Sequence, residues 1–259
     1  MHSKLLKFYG SLLLGLLMML PMPCVNAQSP QKKEKPVFMI VHGAWGGSWA
    51  FRKVDSLMTE QDVIVYRPSL TGLGERVHLA SEEVTLTTHI QDVVNTILFE
   101  DLRNIVLVGH SYGGMVITGV ADALPDRIAR LVYLDAMVPE DGESVMQIMD
   151  PKGEGISKMV QGNYLVPAWV KADQKPPKDV PHPLKTFTER IVLKNAKTKE
   201  IPSTYILTVD PGKKAEEDDF ASSAVRARKR GWKVLEMRAD HNPQWSAVDA
   251  LARILLSLK

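Results

Sequence analysis

The sequence predicts an α/β domain: a mostly parallel sheet of six strands with helices on both faces. Three observations predict it. Short, wholly apolar runs alternate with longer amphipathic ones, as strands buried on both faces do when helices separate them. One run passes through Gly109-His110-Ser111-Tyr112-Gly113 directly into a helical pattern. At 259 residues the chain is long enough for one such domain with a full core.

In chain order, Val37 to Val41 (VFMIV) is the first predicted strand, and an amphipathic segment near 48–59 the first helix. Val63 to Tyr66 follows as a strand, then a helix near 86–99. Ile105 to Val108 leads through the serine turn into a helix near 112–123, whose Met115, Val116 and Val120 make its apolar face. Leu131 to Leu134 is the fourth strand. The alternation then breaks until Thr204 to Thr208, the fifth; a helix near 215–230, the sixth strand at Lys233 to Met237 and a helix near 244–258 complete the order. The interruption, about 139–200, carries Met146, Met149, Met159, Tyr164, Trp169 and Phe187 with the proline-rich stretch Pro176 to Pro183. A long insertion rich in methionine and aromatics after a strand is expected to be a helical cap over the cleft, with a peripheral packing layer as the plainer alternative.

Residues 1–27 have the make-up of a secretory leader: Lys4 and Lys7, an apolar stretch from Leu12 to Leu20, and Val25-Asn26-Ala27 as a small-residue cleavage site. An uncleaved anchor is the alternative, but the stretch is short for a span of roughly 20 residues. The expected location is periplasmic or secreted, without stable membrane association once the leader is removed. Cys24, the single cysteine, lies in this segment, so the remainder uses neither disulfides nor thiol chemistry. Residues 28–35 (QSPQKKEK) read as a disordered lead-in before a domain at 36–259. The leader also holds the whole formal excess of +2, since it has two lysines and no acid. No basic stripe with interleaved aromatics suggests a nucleic-acid partner. The densest basic cluster, Arg226, Arg228, Lys229 and Arg230, reads as a solvated helix face.

In the turn at Ser111 the strain of a sharp strand-to-helix reversal falls on the serine, and the flanking glycines leave room for neighbouring chain. The serine then projects above a helix N-terminus, where a developing oxyanion meets free N–H groups. A serine hydroxyl needs a base to become nucleophilic. Among seven histidines, His241 is the choice: it follows the last strand, and its place late in the chain fits the order serine, acid, histidine. The acid should lie between them at a strand end. Asp210, ending YILTVD, is the first choice and Asp135, ending LVYLD, the second; Asp240 is expected to be structural. Ala44, after His42-Gly43, and Tyr112, after the nucleophile, are the expected oxyanion donors. Met146, Met149, Tyr164 and Trp169 are the expected substrate contacts in an apolar, adaptable pocket. No metal or organic cofactor is called for.

The HGAW loop (His42 to Trp45), GLGER (Gly72 to Arg76), VGHSYGG, LVYLDAMVPEDGES (Leu131 to Ser144) and Asp240-His241 together resemble the α/β-hydrolase superfamily. They look most like its branch of plant methyl-ester esterases, hydroxynitrile lyases and bacterial carboxylesterases, including pyrethroid-hydrolysing ones. The resemblance covers nearly all of 36–258. It implies the α/β-hydrolase fold, a triad of Ser111, His241 and Asp210, the last in a TxD stretch (Thr208-Val209-Asp210), donors at Ala44 and Tyr112, and a cap. Lyases of this branch resemble one another in a threonine two residues after the first strand's apolar run and a lysine directly after the catalytic histidine. Gly43 and Asn242 stand there instead, which points to hydrolysis of small, mainly apolar carboxylic esters. The alternatives are a catalytically weak small-molecule-binding protein on the same scaffold, or amide, lactone or C–C cleavage by the same triad.

Overall fold

The computed structural model describes residues 34–259. The expected leader with Cys24, and most of the expected lead-in, lie outside the described residues. Within the unit Lys35–Lys259, the strands in chain order are β1 (Val37–Val41), β2 (Ile64–Tyr66), β3 (Ile105–His110), β4 (Ile128–Leu134), the short β5 (Val160–Gln161), β6 (Tyr164–Leu165) and β7 (His182–Pro183), then β8 (Ser203–Val209) and β9 (Lys233–Arg238). The helices are α1 (Arg52–Thr59), α2 (Leu86–Phe99), α3 (Gly113–Ala123), α4 (Val145–Met149), α5 (Lys185–Thr188), α6 (Ala221–Lys229), α7 (Pro243–Ser246) and α8 (Val248–Leu256).

All six predicted strands join one sheet in the order β2-β1-β3-β4-β8-β9, every neighbouring pair parallel. Side chains alternate faces along each strand. Met39, Val41, Leu107, Tyr133 and Leu207 pack on one face with α2, α3 and α6; Phe38, Ile40, Val108, Leu134 and Ile206 pack on the other with α1 and α8. Each such aliphatic or aromatic side chain contributes roughly 1.5–3 kcal/mol by leaving water, and the apolar runs exist because both faces are covered.

Helix boundaries follow local chemistry. Thr85 caps α2 through the Thr88 amide, with the reciprocal bond completing a capping box. The helix expected near 215–230 begins only at Ala221, because Asp218 bonds the Phe220 amide ahead of it. The expected terminal helix is broken at Ala247 into α7 and α8. The basic cluster on α6 is not simply solvated. Arg226 pairs with Glu143 and donates to the Val138 carbonyl, while Arg230 pairs with Glu140 and donates to the Pro139 carbonyl. The helix thus clamps the chain just beyond β4.

The insertion corrects one expectation, since it is not chiefly helical. Only the short α4 and α5 form there, and β5, β6 and β7 make a small antiparallel sheet. Pro167, Pro176, Pro177, Pro181 and Pro183, with Gly153, Gly155 and Gly162, interrupt any longer helix.

Candidate active site

The sheet's topology brings the ends of β1, β3, β4 and β9 to one edge, and the site is built there. At the end of β3, Ser111 has φ of +54°, the left-handed region that a non-glycine residue enters only when its surroundings hold it. Three bonds do so: its amide donates to the Leu134 carbonyl at 3.2 Å, and its carbonyl accepts from the Gly114 and Met137 amides, each at 3.1 Å. The adjoining chain leaves no space for side chains. A Cβ on Gly113 would stand 2.6 Å from the Val41 carbonyl oxygen, and one on Gly114 only 2.2 Å from that of Met137.

His241, in the loop between β9 and α7, places Nε2 3.0 Å from Ser111 Oγ. Its Nδ1 lies 2.6 Å from Asp135 Oδ2. Because an ionised carboxylate only accepts, Nδ1 carries the proton and Nε2 is left to accept from the serine hydroxyl. The ring is held between two others. Phe220 stacks on it at 4.8 Å and 4°, and His110 lies 4.8 Å away at 34° while its Nε2 donates to the His241 carbonyl at 2.8 Å. Burial, with His241 nearby, pushes the His110 ring down to about 3, so it stays a neutral donor.

The partner of His241 is therefore not Asp210. Asp210 lies at the end of β8, partly exposed, in an ion pair with Lys213 at 2.8 Å. Asp135 is fully buried directly after β4, with φ of +43°. Its amide donates to the Ile206 carbonyl at 2.7 Å, and its Oδ1 accepts from the Thr208 amide at 3.1 Å. Thr208-Val209-Asp210 thus supplies a backbone donor to Asp135 rather than the carboxylate that meets His241. Asp218 lies close enough that burial first, and then the charge of Asp135, raise its carboxyl above the ordinary range. Asp240 is structural, as expected: its Oδ1 accepts from the Asn242 amide and the Ser246 hydroxyl.

Ala44 follows Gly43, whose missing side chain lets this loop approach: a Cβ there would meet His110 Nδ1 at 3.0 Å and Ser111 Cβ at 3.1 Å. The next residue, Trp45, also has positive φ, +63°, and the insertion holds it on every side. Its amide donates to His182 Nδ1 at 3.1 Å, its indole N–H to the Leu165 carbonyl at 3.0 Å, and its carbonyl accepts from the Val180 amide at 2.9 Å. His182 is buried and held well below its ordinary range by that burial, and its Nε2 donates to Thr186 Oγ1 at 2.7 Å, leaving Nδ1 as acceptor. Tyr112, the second expected donor, directly precedes α3. Its hydroxyl donates to His89 Nδ1 at 2.9 Å, and its ring stacks on Phe187 at 5.4 Å.

These groups open onto a cavity of about 450 Å³ lined by Gly43, Ala44, Trp45, Phe51, His110, Ser111, Trp169, Asp179, His241, Asn242 and Trp245 among others. Of the four expected substrate contacts only Trp169 is there. Met146 and Met149 instead pack against the core, and Tyr164 lies in β6. Sequence reading missed Phe51, Asp179 and Trp245. Trp245 carried a signal, since it follows His241 by only four residues.

A profile of the Alpha/beta hydrolase family matches residues 38–254. The chain belongs to the alpha/beta hydrolase family. Within this family it is 52% identical over 112 residues to a carbendazim hydrolyzing esterase of Nocardioides sp. (strain SG-4G), a match covering 43% of this chain and 46% of that one. It is 23% identical over 261 residues to putative methylesterase 15, chloroplastic, of Arabidopsis thaliana, covering 87% and 57%. The chain thus spans about half the length of these two relatives. Among solved alpha/beta hydrolases, an extracellular one from a Paenibacillus species superposes with a TM-score of 0.73 at 22% identity, covering 86% of this chain and 98% of that one.

Proposed function

We propose that this alpha/beta hydrolase is a serine carboxylesterase acting on small, mainly apolar esters through an acyl-enzyme. One observation carries the reading: the unbroken line from Ser111 Oγ through both nitrogens of His241 to Asp135. Ser111 attacks the ester carbonyl as His241 Nε2 takes its proton, and Asp135 holds the tautomer and stabilises the imidazolium. The Ala44 and Tyr112 amides bind the oxyanion. The imidazolium then protonates the departing alcohol, and the neutral ring activates a water that releases the acid. Gly43 and Asn242 both line the cavity, and neither carries the positive charge that would stabilise a departing anion such as cyanide. The chain's relatives, a carbendazim hydrolyzing esterase and a putative methylesterase, support ester chemistry. The leader-like residues 1–27 support export to the periplasm or beyond.

A fluorophosphonate probe and a short p-nitrophenyl ester test the reading. The wild type should label and turn over, and Ser111→Ala should do neither. A Ser111→Ala protein with undiminished turnover would end the proposal, and an unlabelled, inert wild type would favour a binding protein on the same scaffold.

A further inference from the structure

One charged side chain in the cavity takes no part in those steps. Asp179, carried by the insertion, is among the described residues the only acidic one on the wall of the 450 Å³ cavity. With Trp169 and Trp245 it also lines an adjoining hollow of about 300 Å³, together with Trp49 and Pro177. The three shared residues join the two spaces. Asp179 enters none of the ion pairs among the described residues. Burial raises its carboxyl, and the neighbouring Trp169 indole works the other way. A carboxylate has about four acceptor sites, so even with the indole beside it most of that capacity is open to a ligand.

Around it stand flat aromatic surfaces. Trp169 and Trp245 are 48% and 47% exposed, unusual for the largest apolar side chain. Trp49 backs Trp245 in a stack at 5.6 Å and 17°, while Trp45 meets Trp169 edge-on at 5.4 Å and 81°. These contacts hold the indole planes in place before any ligand arrives, which lowers the ordering cost of binding a ring. The charge pattern narrows the ligand. Asp179 repels an anion, and Lys175 and Lys178 on the outer hollow disfavour a cation. A neutral N–H donor on a flat ring satisfies both.

We propose that Asp179, Trp169 and Trp245 form a recognition subsite for a neutral aromatic ring bearing an N–H donor, so that the preferred esters carry such a ring in their acyl or alcohol part. This deepens the esterase reading and rests on it for the word ester. The subsite itself can be tested without turnover. Methyl esters of several indole carboxylic acids, each paired with its N-methyl analogue, would be titrated into Ser111→Ala protein by calorimetry. At least one N–H ester should bind about tenfold or more tightly than its N-methyl partner, as a hydrogen bond to a charged acceptor implies. Adding Asp179→Ala should bring that ratio close to one while the N-methyl ester still binds, which also shows that the variant is folded. Adding Trp169→Ala should weaken both. Equal affinities across every pair, or a preference that survives Asp179→Ala, would overturn the proposal. Failure of the esterase reading is seen separately, in an unlabelled wild type that leaves p-nitrophenyl esters intact.

Discussion

His241 Nδ1 meets Asp135 Oδ2 at 2.6 Å, across the ends of two strands that are not neighbours in the sheet. The contact fixes the imidazole tautomer on which the serine depends. Asp135→Asn keeps the shape but presents an amide to Nδ1, so kcat for a p-nitrophenyl ester should fall by about 10⁴. Asp210→Asn, remote from the imidazole, should stay within severalfold of wild type. Steady-state kinetics on both variants, with circular dichroism to confirm folding, checks the pair, and a larger loss at Asp210 would contradict the assignment.

The Trp45 amide donates to His182 Nδ1 at 3.1 Å, so the insertion holds the loop that presents Ala44. His182→Leu removes the acceptor and should lower kcat by about 10–100-fold with little change in KM, because a misplaced oxyanion donor is felt mainly in the transition state. His182→Asn, which retains an acceptor near the Nδ1 position, should recover part of the loss. Equal KM and kcat effects in both variants would mean a general packing role instead.

Stability should fall on mild acidification. Burial lowers His42 and His89 to about 4 and His110 to about 3, whereas in the unfolded chain a histidine protonates near 6.5. Between those values the unfolded state binds more protons, so this contribution is fully present above about pH 6.5 and is lost as pH drops toward 4. Each ring accounts for up to about 1.4 kcal/mol per pH unit in that window. Urea midpoints measured from about pH 7 to about pH 5 should decrease steadily; a flat series would show that the rings are not held neutral.

Gly114→Ala should destabilise the whole domain, since its Cβ would lie 2.2 Å from the Met137 carbonyl oxygen. Backbone cannot yield as a side-chain tip can, and a loss of about 3 kcal/mol or more is expected. Thermal denaturation reads this directly. An unchanged Tm would mean that the chain after β4 is looser than its hydrogen bonds to Ser111 imply.

Much of this molecule is written locally. Val37 to Val41 and Ile105 to Val108 are apolar throughout because strands covered on both faces have no solvent side. Gly109-His110-Ser111-Tyr112-Gly113 specifies its turn because only those glycines fit between β3, α3 and the neighbouring chain. Ser111 and His241 were legible for that reason, one from the turn and the other from its place after the last strand. The insertion was legible only as an interruption. Its short strands are two residues each and pair with partners beyond intervening loops, so no local period announces them.

The choice between Asp135 and Asp210 could not be made from sequence, because both end an apolar strand in the stretch where the acid is required. It depends on which strand end the β9–α7 loop crosses, and that follows from the stagger of β4, β8 and β9. The walls of the cavity were decided in the same way. Whether Met149 or Asp179 lines the cavity with Ser111 is set by how the insertion folds back over the sheet, a matter of contacts far apart in the chain. The sheet, the serine turn and the places of Ser111 and His241 can be read along the chain, because each is encoded by neighbouring residues. The carboxylate that meets His241 and the walls of the cavity emerge only on folding, because they are relations between chain ends that meet after packing.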